Sequence, residues 1–141
     1  LSEELKFLES YIFLLKERFG ENFQINVDIP NDFLGCKVVP LSLQLLLENA
    51  IKHNIISTKK PLRIQVFDQG SHIHVSNPFQ PKRQAPPSTG LGLENIRKRY
   101  SLLSSQSVET IQNEETFVVR IPRLTSKKDD CINNRRRSRC G

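Results

Sequence analysis

Apolar positions recur at intervals of three and four at the start of the chain. Leu5, Leu8, Ile12, Leu15 and Phe19 fall on one helical face, so residues 1–19 are predicted as an amphipathic helix. Ser2 can cap it, Glu3 and Glu4 suit its positive end, and Gly20 can stop it. The period then changes. Phe23, Ile25, Val27 and Ile29 alternate with polar residues, which predicts a half-buried strand over 22–29. Pro30 to Gly35 reads as a turn, Val38-Val39 as a short apolar segment, and Pro40 as the opening of a second helix over 41–56. Leu62, Ile64, Val66 and then Ile73, Val75 alternate around Asp68-Gln69-Gly70-Ser71, so 62–76 is predicted as a hairpin.

Residues 78–89 (PFQPKRQAPPST) contain four prolines and almost no apolar side chains, and read as a mobile loop of the kind that serves as a lid. A third helix is predicted after Gly92, to about Ser104. A second hairpin is predicted over 107–112 and 116–121, with Asn113-Glu114-Glu115 as its turn. The strands come mainly as antiparallel pairs and not as repeated βαβ units. The expected architecture is therefore an α/β (α+β) two-layer sandwich: a mixed, mostly antiparallel sheet with helices on one face.

Length and charge refine this picture. The chain has 141 residues, which is one domain, and no apolar run approaches the ~20 residues of a membrane span. Residues 1–124 carry 15 basic and 13 acidic side chains, whereas 125–141 carry 6 and 2, so two-thirds of the net charge of +6 lies in the tail. The folded unit is expected to be 1–124, followed by a basic disordered tail. The tail's RRRSR has no interleaved aromatics and no recognition helix, so nucleic acid is not expected as a partner. Cys36, Cys131 and Cys140 form no CxxC pair, which argues against a zinc site or a disulfide framework. The chain opens on Leu1 and contains no methionine, so it is expected to be a fragment or a processed chain.

Two segments carry chemistry. In LSLQLLLENAIKHNII, Leu43, Leu46, Leu47, Ala50 and Ile51 form the apolar stripe, and Asn49, Lys52 and His53 fall at i, i+3 and i+4 with Glu48 beside them. An acid, a carboxamide, a cation and an imidazole form a set that can position a metal ion and phosphates, although a solvated helix face has the same composition. In STGLGLEN, Gly90 and Gly92 open a helix directly after the loop, where free N–H groups and the helix dipole favour a phosphate. His72 and His74 share one strand face, but without a third ligand they read as an exposed face and not a metal site.

LQLLLENAIKHN resembles the N box, and TGLGLENIRKRY the second glycine box, of bacterial sensor histidine kinases of the LytS/YehU type. LSEELKFLESYIFLLKERFGENFQINVDIP resembles the segment leading into that family's ATP-binding domain, so the resemblance covers about residues 1–124. It implies the Bergerat-type ATP-binding sandwich, with ATP and Mg²⁺ as cofactors. It implies that Asn49 ligates Mg²⁺ on the ATP phosphates, Lys52 contacts the phosphates, His53 lines the site and Glu48 orients or deprotonates the attacking group. Thr89, Gly90, Leu91, Gly92 and Leu93 would form the phosphate-facing turn, and 78–89 the ATP lid. Asn77 stands where the family usually has the Asp of an Asp-x-Gly that accepts from the adenine amine, and Pro78 follows it. A carboxamide oxygen can accept that bond less strongly than a carboxylate. The resemblance further implies a homodimeric inner-membrane parent with this domain in the cytoplasm. That parent would carry upstream dimerisation and phospho-acceptor helices and serve a response regulator. A degenerate, nucleotide-weak regulatory domain of the same fold is the alternative.

Overall fold

The computed structural model describes residues 2–30, 37–82 and 91–124. The chain forms helix α1 (Ser2–Phe19), a 3-10 turn (Gly20–Asn22), strand β1 (Phe23–Asp28) and helix α2 (Ser42–His53). It continues through strands β2 (Leu62–Gln69) and β3 (His72–Pro78), helix α3 (Leu91–Leu103), and strands β4 (Glu109–Gln112) and β5 (Thr116–Pro122). The sheet order is β1-β2-β3-β5-β4. β1 and β2 are parallel, joined by a crossover through α2, and every other pair is antiparallel. The predicted mixed, mostly antiparallel sheet is therefore the one that forms.

Side-chain alternation decides which face is covered. Phe23, Leu62, Ile64, Val66, Ile73, Val75, Val119 and Ile121 are all buried beneath the helices. From above, Leu8 and Leu15 of α1, Leu43, Leu46, Leu47 and Ala50 of α2, and Ile96 and Tyr100 of α3 complete one core. Each fully buried Leu or Ile contributes about 1.5–3 kcal/mol relative to exposure, so this single core accounts for most of the stabilisation.

The boundaries depart from the sequence reading in places that have physical causes. Ser2 is the first helical residue of α1 and not its cap. Gly20 ends the helix with φ +60, a conformation that costs glycine little. α2 ends at His53, short of the predicted Ile56, because Asn54 turns extended and its side-chain amide takes the Ala50 carbonyl at 2.8 Å. β3 runs on to Pro78, placing Asn77 inside the sheet. The first hairpin closes on a two-residue turn, with Gly70 at φ +66. α3 starts at Leu91, so Gly92 lies within its first turn.

The Val38-Val39 segment is buried, and Lys37 pairs with Leu124 beyond β5. The Val39 N–H donates to the Tyr100 hydroxyl at 3.2 Å, and Tyr100 is fully buried. Removing that hydroxyl leaves a buried N–H without its acceptor. Tyr100→Phe is therefore expected to cost about 1–3 kcal/mol, read as a lower urea midpoint at unchanged slope.

Candidate functional site

α2 starts against α1. Leu41, just ahead of it, has φ 65, an uncommon conformation for a branched residue. The Glu4 carboxylate compensates: it accepts the N–H of Leu41 at 3.0 Å and of Leu43 at 3.3 Å, placing a negative charge at the positive end of α2. Further along, Glu48 and Lys52 face α1. With Tyr11, Arg18, Phe19, Ile51, Asn54, Ile56 and Lys82 they line an open groove of about 390 Å³. Gln44 donates to Glu48 at 3.3 Å. Burial, and then the Glu48 carboxylate, hold the Tyr11 phenol above its ordinary pKa.

Asn49 and His53 take the opposite flank. Ser42, on that flank, lies beside the Tyr100 hydroxyl of α3. About two and three helical turns later Asn49 and His53 return to the same side. Both are half-buried. Tyr100, near the end of α3, thus meets the start of α2, and the opening turn of α3 carries Leu91, Gly92 and Leu93. Leu93 packs against the core. Burial, and then the charges of Lys52 and Lys82, hold the His53 imidazole below its ordinary pKa. His53 is thus neutral at neutral pH, able to donate from one nitrogen and accept at the other. Thr89 and Gly90 lie outside the described residues, as does the expected lid beyond Lys82.

Asn77 is buried on the core face at the end of β3, opposite Phe117 of β5. Its side-chain amide donates to the Pro78 carbonyl at 2.8 Å, leaving the carboxamide oxygen as the acceptor. The chain then turns to the end of α2. Gln80 N–H donates to Asn54 Oδ1 at 2.9 Å, Ile55 N–H to the Gln80 carbonyl at 2.8 Å, and Lys82 N–H to the His53 carbonyl at 3.2 Å. The Gln80 side-chain amide donates to the carbonyls of Ile55, Lys60 and Pro61 at 2.7, 3.1 and 3.4 Å. Sequence reasoning missed Asn54 and Gln80. The one signal was an asparagine directly after the apolar stripe of α2, where such residues cap.

His72 and His74 do share the outer face of the sheet, but the expected exposure holds only in part, because His74 is buried at 6% exposure. His72 Nδ1 meets the Ser71 hydroxyl at 2.9 Å, and His74 stacks on Phe67 with ring centres 4.9 Å apart. Burial, then Arg120 and His72, lower the His74 pKa. Among the described residues no group of three or more His, Cys, Asp or Glu could hold a metal ion.

No protein-family model matches the chain. In sequence it is 30% identical to the sensor protein LytS of Staphylococcus haemolyticus, over 92% of this chain and 26% of the relative. It is 29% identical to LytS of Enterococcus faecalis, over 82% of this chain and 23% of that protein. This chain is homologous to the LytS sensor proteins. It spans about a quarter of the length of those LytS relatives. Among solved structures, this LytS homologue resembles the catalytic domain of histidine kinase ThkA in a nucleotide-free form. That match has a TM-score of 0.53 at 19% identity, over 84% of this chain and 94% of that one. It also resembles the blue-light-activated histidine kinase of Erythrobacter litoralis, with a TM-score of 0.51 at 16% identity over 88% of this chain and 42% of that one. The LytS-homologous chain thus has the fold of histidine kinase catalytic domains.

Proposed function

We propose that residues 1–124 are the ATP-binding catalytic domain of a sensor histidine kinase, which donates the ATP γ-phosphoryl group to a histidine elsewhere in the parent protein. A response regulator would take the phosphoryl group from that histidine. A homodimeric, membrane-anchored parent with this domain in the cytoplasm fits the reading, and no helix among the described residues is long and apolar enough to cross a membrane. The observation that supports the proposal is the contact between the segment after β3 and the end of α2. The exit of β3 after Asn77 is hydrogen-bonded to the end of α2, the helix that carries Asn49 and His53, and α3 opens on a glycine-containing first turn.

In this reading the base meets Asn77, whose carboxamide oxygen accepts the adenine amine. The family resemblance assigns Thr89, Gly90, Leu91, Gly92 and Leu93 to the phosphates, and the start of a helix such as α3 offers free N–H groups of the kind that bind them. His53 lines the site as a neutral donor; Lys52 and Glu48 act from the α1 flank of the same helix, where Lys52 adds positive charge and Glu48 orients or deprotonates the attacking group. Asn49 would hold Mg²⁺. A single carboxamide oxygen suits a hard ion that takes its remaining oxygens from phosphates and water. When bound, the ion neutralises phosphate charge; the residues themselves contribute mainly positioning.

Titration of the chain with ATP, with and without Mg²⁺, tests the proposal. Asn77→Asp is expected to tighten Mg²⁺-dependent ATP binding about fivefold, because a carboxylate makes the stronger, charge-assisted bond to the amine. One observation favours the alternative, a nucleotide-weak regulatory domain: Asn77-Pro78 stands where Asp-x-Gly is usual. A chain that binds no ATP, even with Asp at position 77, would establish that alternative.

A further inference from the structure

The hydrogen bonds between the exit of β3 and the end of α2 exceed what chain connection requires. A helix leaves its last four carbonyls without internal partners. Here the Asn54 side chain takes the Ala50 carbonyl and the Lys82 N–H takes the His53 carbonyl. Asn54 is only 4% exposed, and its carboxamide is engaged at both ends: Nδ2 donates back to Ala50, and Oδ1 accepts the Gln80 N–H from 26 residues away. Gln80 commits its N–H, its carbonyl and its side-chain NH2 group, and each of these partners lies between Asn54 and Pro61. Asn54 directly follows His53, and Gln80 lies three residues beyond Asn77, within about 10 Å of chain. The clamp therefore ties the neighbour of one candidate site residue to the near neighbour of another.

We propose that Asn54 and Gln80 are positioning residues that fix Asn77 relative to the Asn49–His53 flank of α2, and so determine how strongly adenine is preferred over other bases. The inference rests on the nucleotide-site reading above and adds residues that reading does not contain. Neither side chain touches the base; both act through Asn77. A carboxamide discriminates bases only if its oxygen sits within hydrogen-bond distance of an exocyclic amine, and a shift of about 1 Å removes that discrimination while leaving the phosphate contacts on α2 in place.

The test is calorimetric titration of the 141-residue chain with Mg²⁺-ATP and Mg²⁺-GTP. Four proteins are compared: the unmutated chain, Gln80→Glu, Asn54→Ala and Asn54→Asp. Gln80→Glu replaces three donations to carbonyls with repulsion, and Asn54→Ala removes the acceptor for the Gln80 N–H. Both are expected to lower the preference for ATP over GTP about five- to tenfold, chiefly by weakening ATP. Asn54→Asp keeps an oxygen facing the Gln80 N–H but turns the donation to the Ala50 carbonyl into repulsion, and is expected to lower the preference by a similar factor. Equal weakening of ATP and GTP in a folded variant would reduce the clamp to a purely structural role and overturn the proposal. So would an unaltered preference. Thermal melts establish folding, and if Asn54→Ala does not fold, Gln80→Glu decides, since Gln80 is only half-buried. An unmutated chain that binds neither nucleotide overturns the nucleotide-site reading and this inference with it. One that binds ATP while the variants behave like it overturns the positioning role alone.

Discussion

Asn49→Ala is expected to remove the Mg²⁺-dependent part of ATP binding while leaving the fold intact or slightly more stable. Two independent effects give this unusual pairing. Asn is a poor residue for a helix interior, several tenths of a kcal/mol worse than Ala, so the substitution by itself favours α2. Asn49 is also half-buried on the flank away from the apolar stripe, so little packing is lost. Against this, loss of the one protein oxygen assigned to Mg²⁺ should weaken Mg²⁺-ATP by about 1.5–3 kcal/mol, or roughly ten- to hundredfold. ATP titrated without Mg²⁺ should bind the variant and the unmutated chain alike. Equal Mg²⁺-ATP affinity in the two proteins would take the metal-binding role away from Asn49. A fall in stability of more than about 1 kcal/mol would show that the residue is instead part of the packing.

The contrast between Asn49 and its neighbours shows how far a sequence can be read here. A helical period is a local property, so the apolar stripe of α2 and the element order follow from spacing alone, and the structure reproduces both. What spacing cannot supply is the neighbour on each flank. Asn49, Lys52 and His53 share the polar side of an isolated helix, yet α1 packs against α2 so that Lys52 joins Glu48 in the groove with Tyr11 and Arg18. Asn49 and His53 take the other flank. The end of α2 was illegible for the same reason. His53 and Ile55 are both compatible with a continuing helix, and the early exit is held by the Asn54 side chain on the Ala50 carbonyl together with two partners from far along the chain, Gln80 on Asn54 and Lys82 on His53. The parallel pairing of β1 with β2 was equally hidden, because alternation defines a strand and not its partner.

A further long-range pair carries the largest expected effect on stability. Arg123, just after β5, lies 3.3 Å from the Asp68 carboxylate at the end of β2, and both side chains are almost fully buried, at 6% and 8% exposure. Arg123 also donates to the Gly70 carbonyl, and its backbone N–H donates to Ser71 at 2.9 Å, so the pair fastens the β2–β3 turn to the end of the sheet. Arg123→Met keeps much of the apolar stem but leaves Asp68 as a buried carboxylate without that cation. The expected loss is about 3–5 kcal/mol at neutral pH. Its pH dependence has a definite sign. Burial already raises the Asp68 pKa above its ordinary value, and Arg123 opposes that rise. With the cation gone the folded-state pKa rises further while the unfolded value stays put. The folded state then binds the proton more readily than the unfolded state does. Stability falls as pH rises through the folded pKa and returns as pH is lowered below it. Denaturation midpoints for Arg123→Met should therefore recover from neutral toward mildly acidic pH relative to the unmutated chain. The double variant Asp68→Asn with Arg123→Met should regain much of the loss without any acidification, because the charge itself has been removed. A flat relative pH profile, or a double variant no better than the single one, would mean that Arg123 acts through its backbone and packing contacts and not as the counter-charge of Asp68.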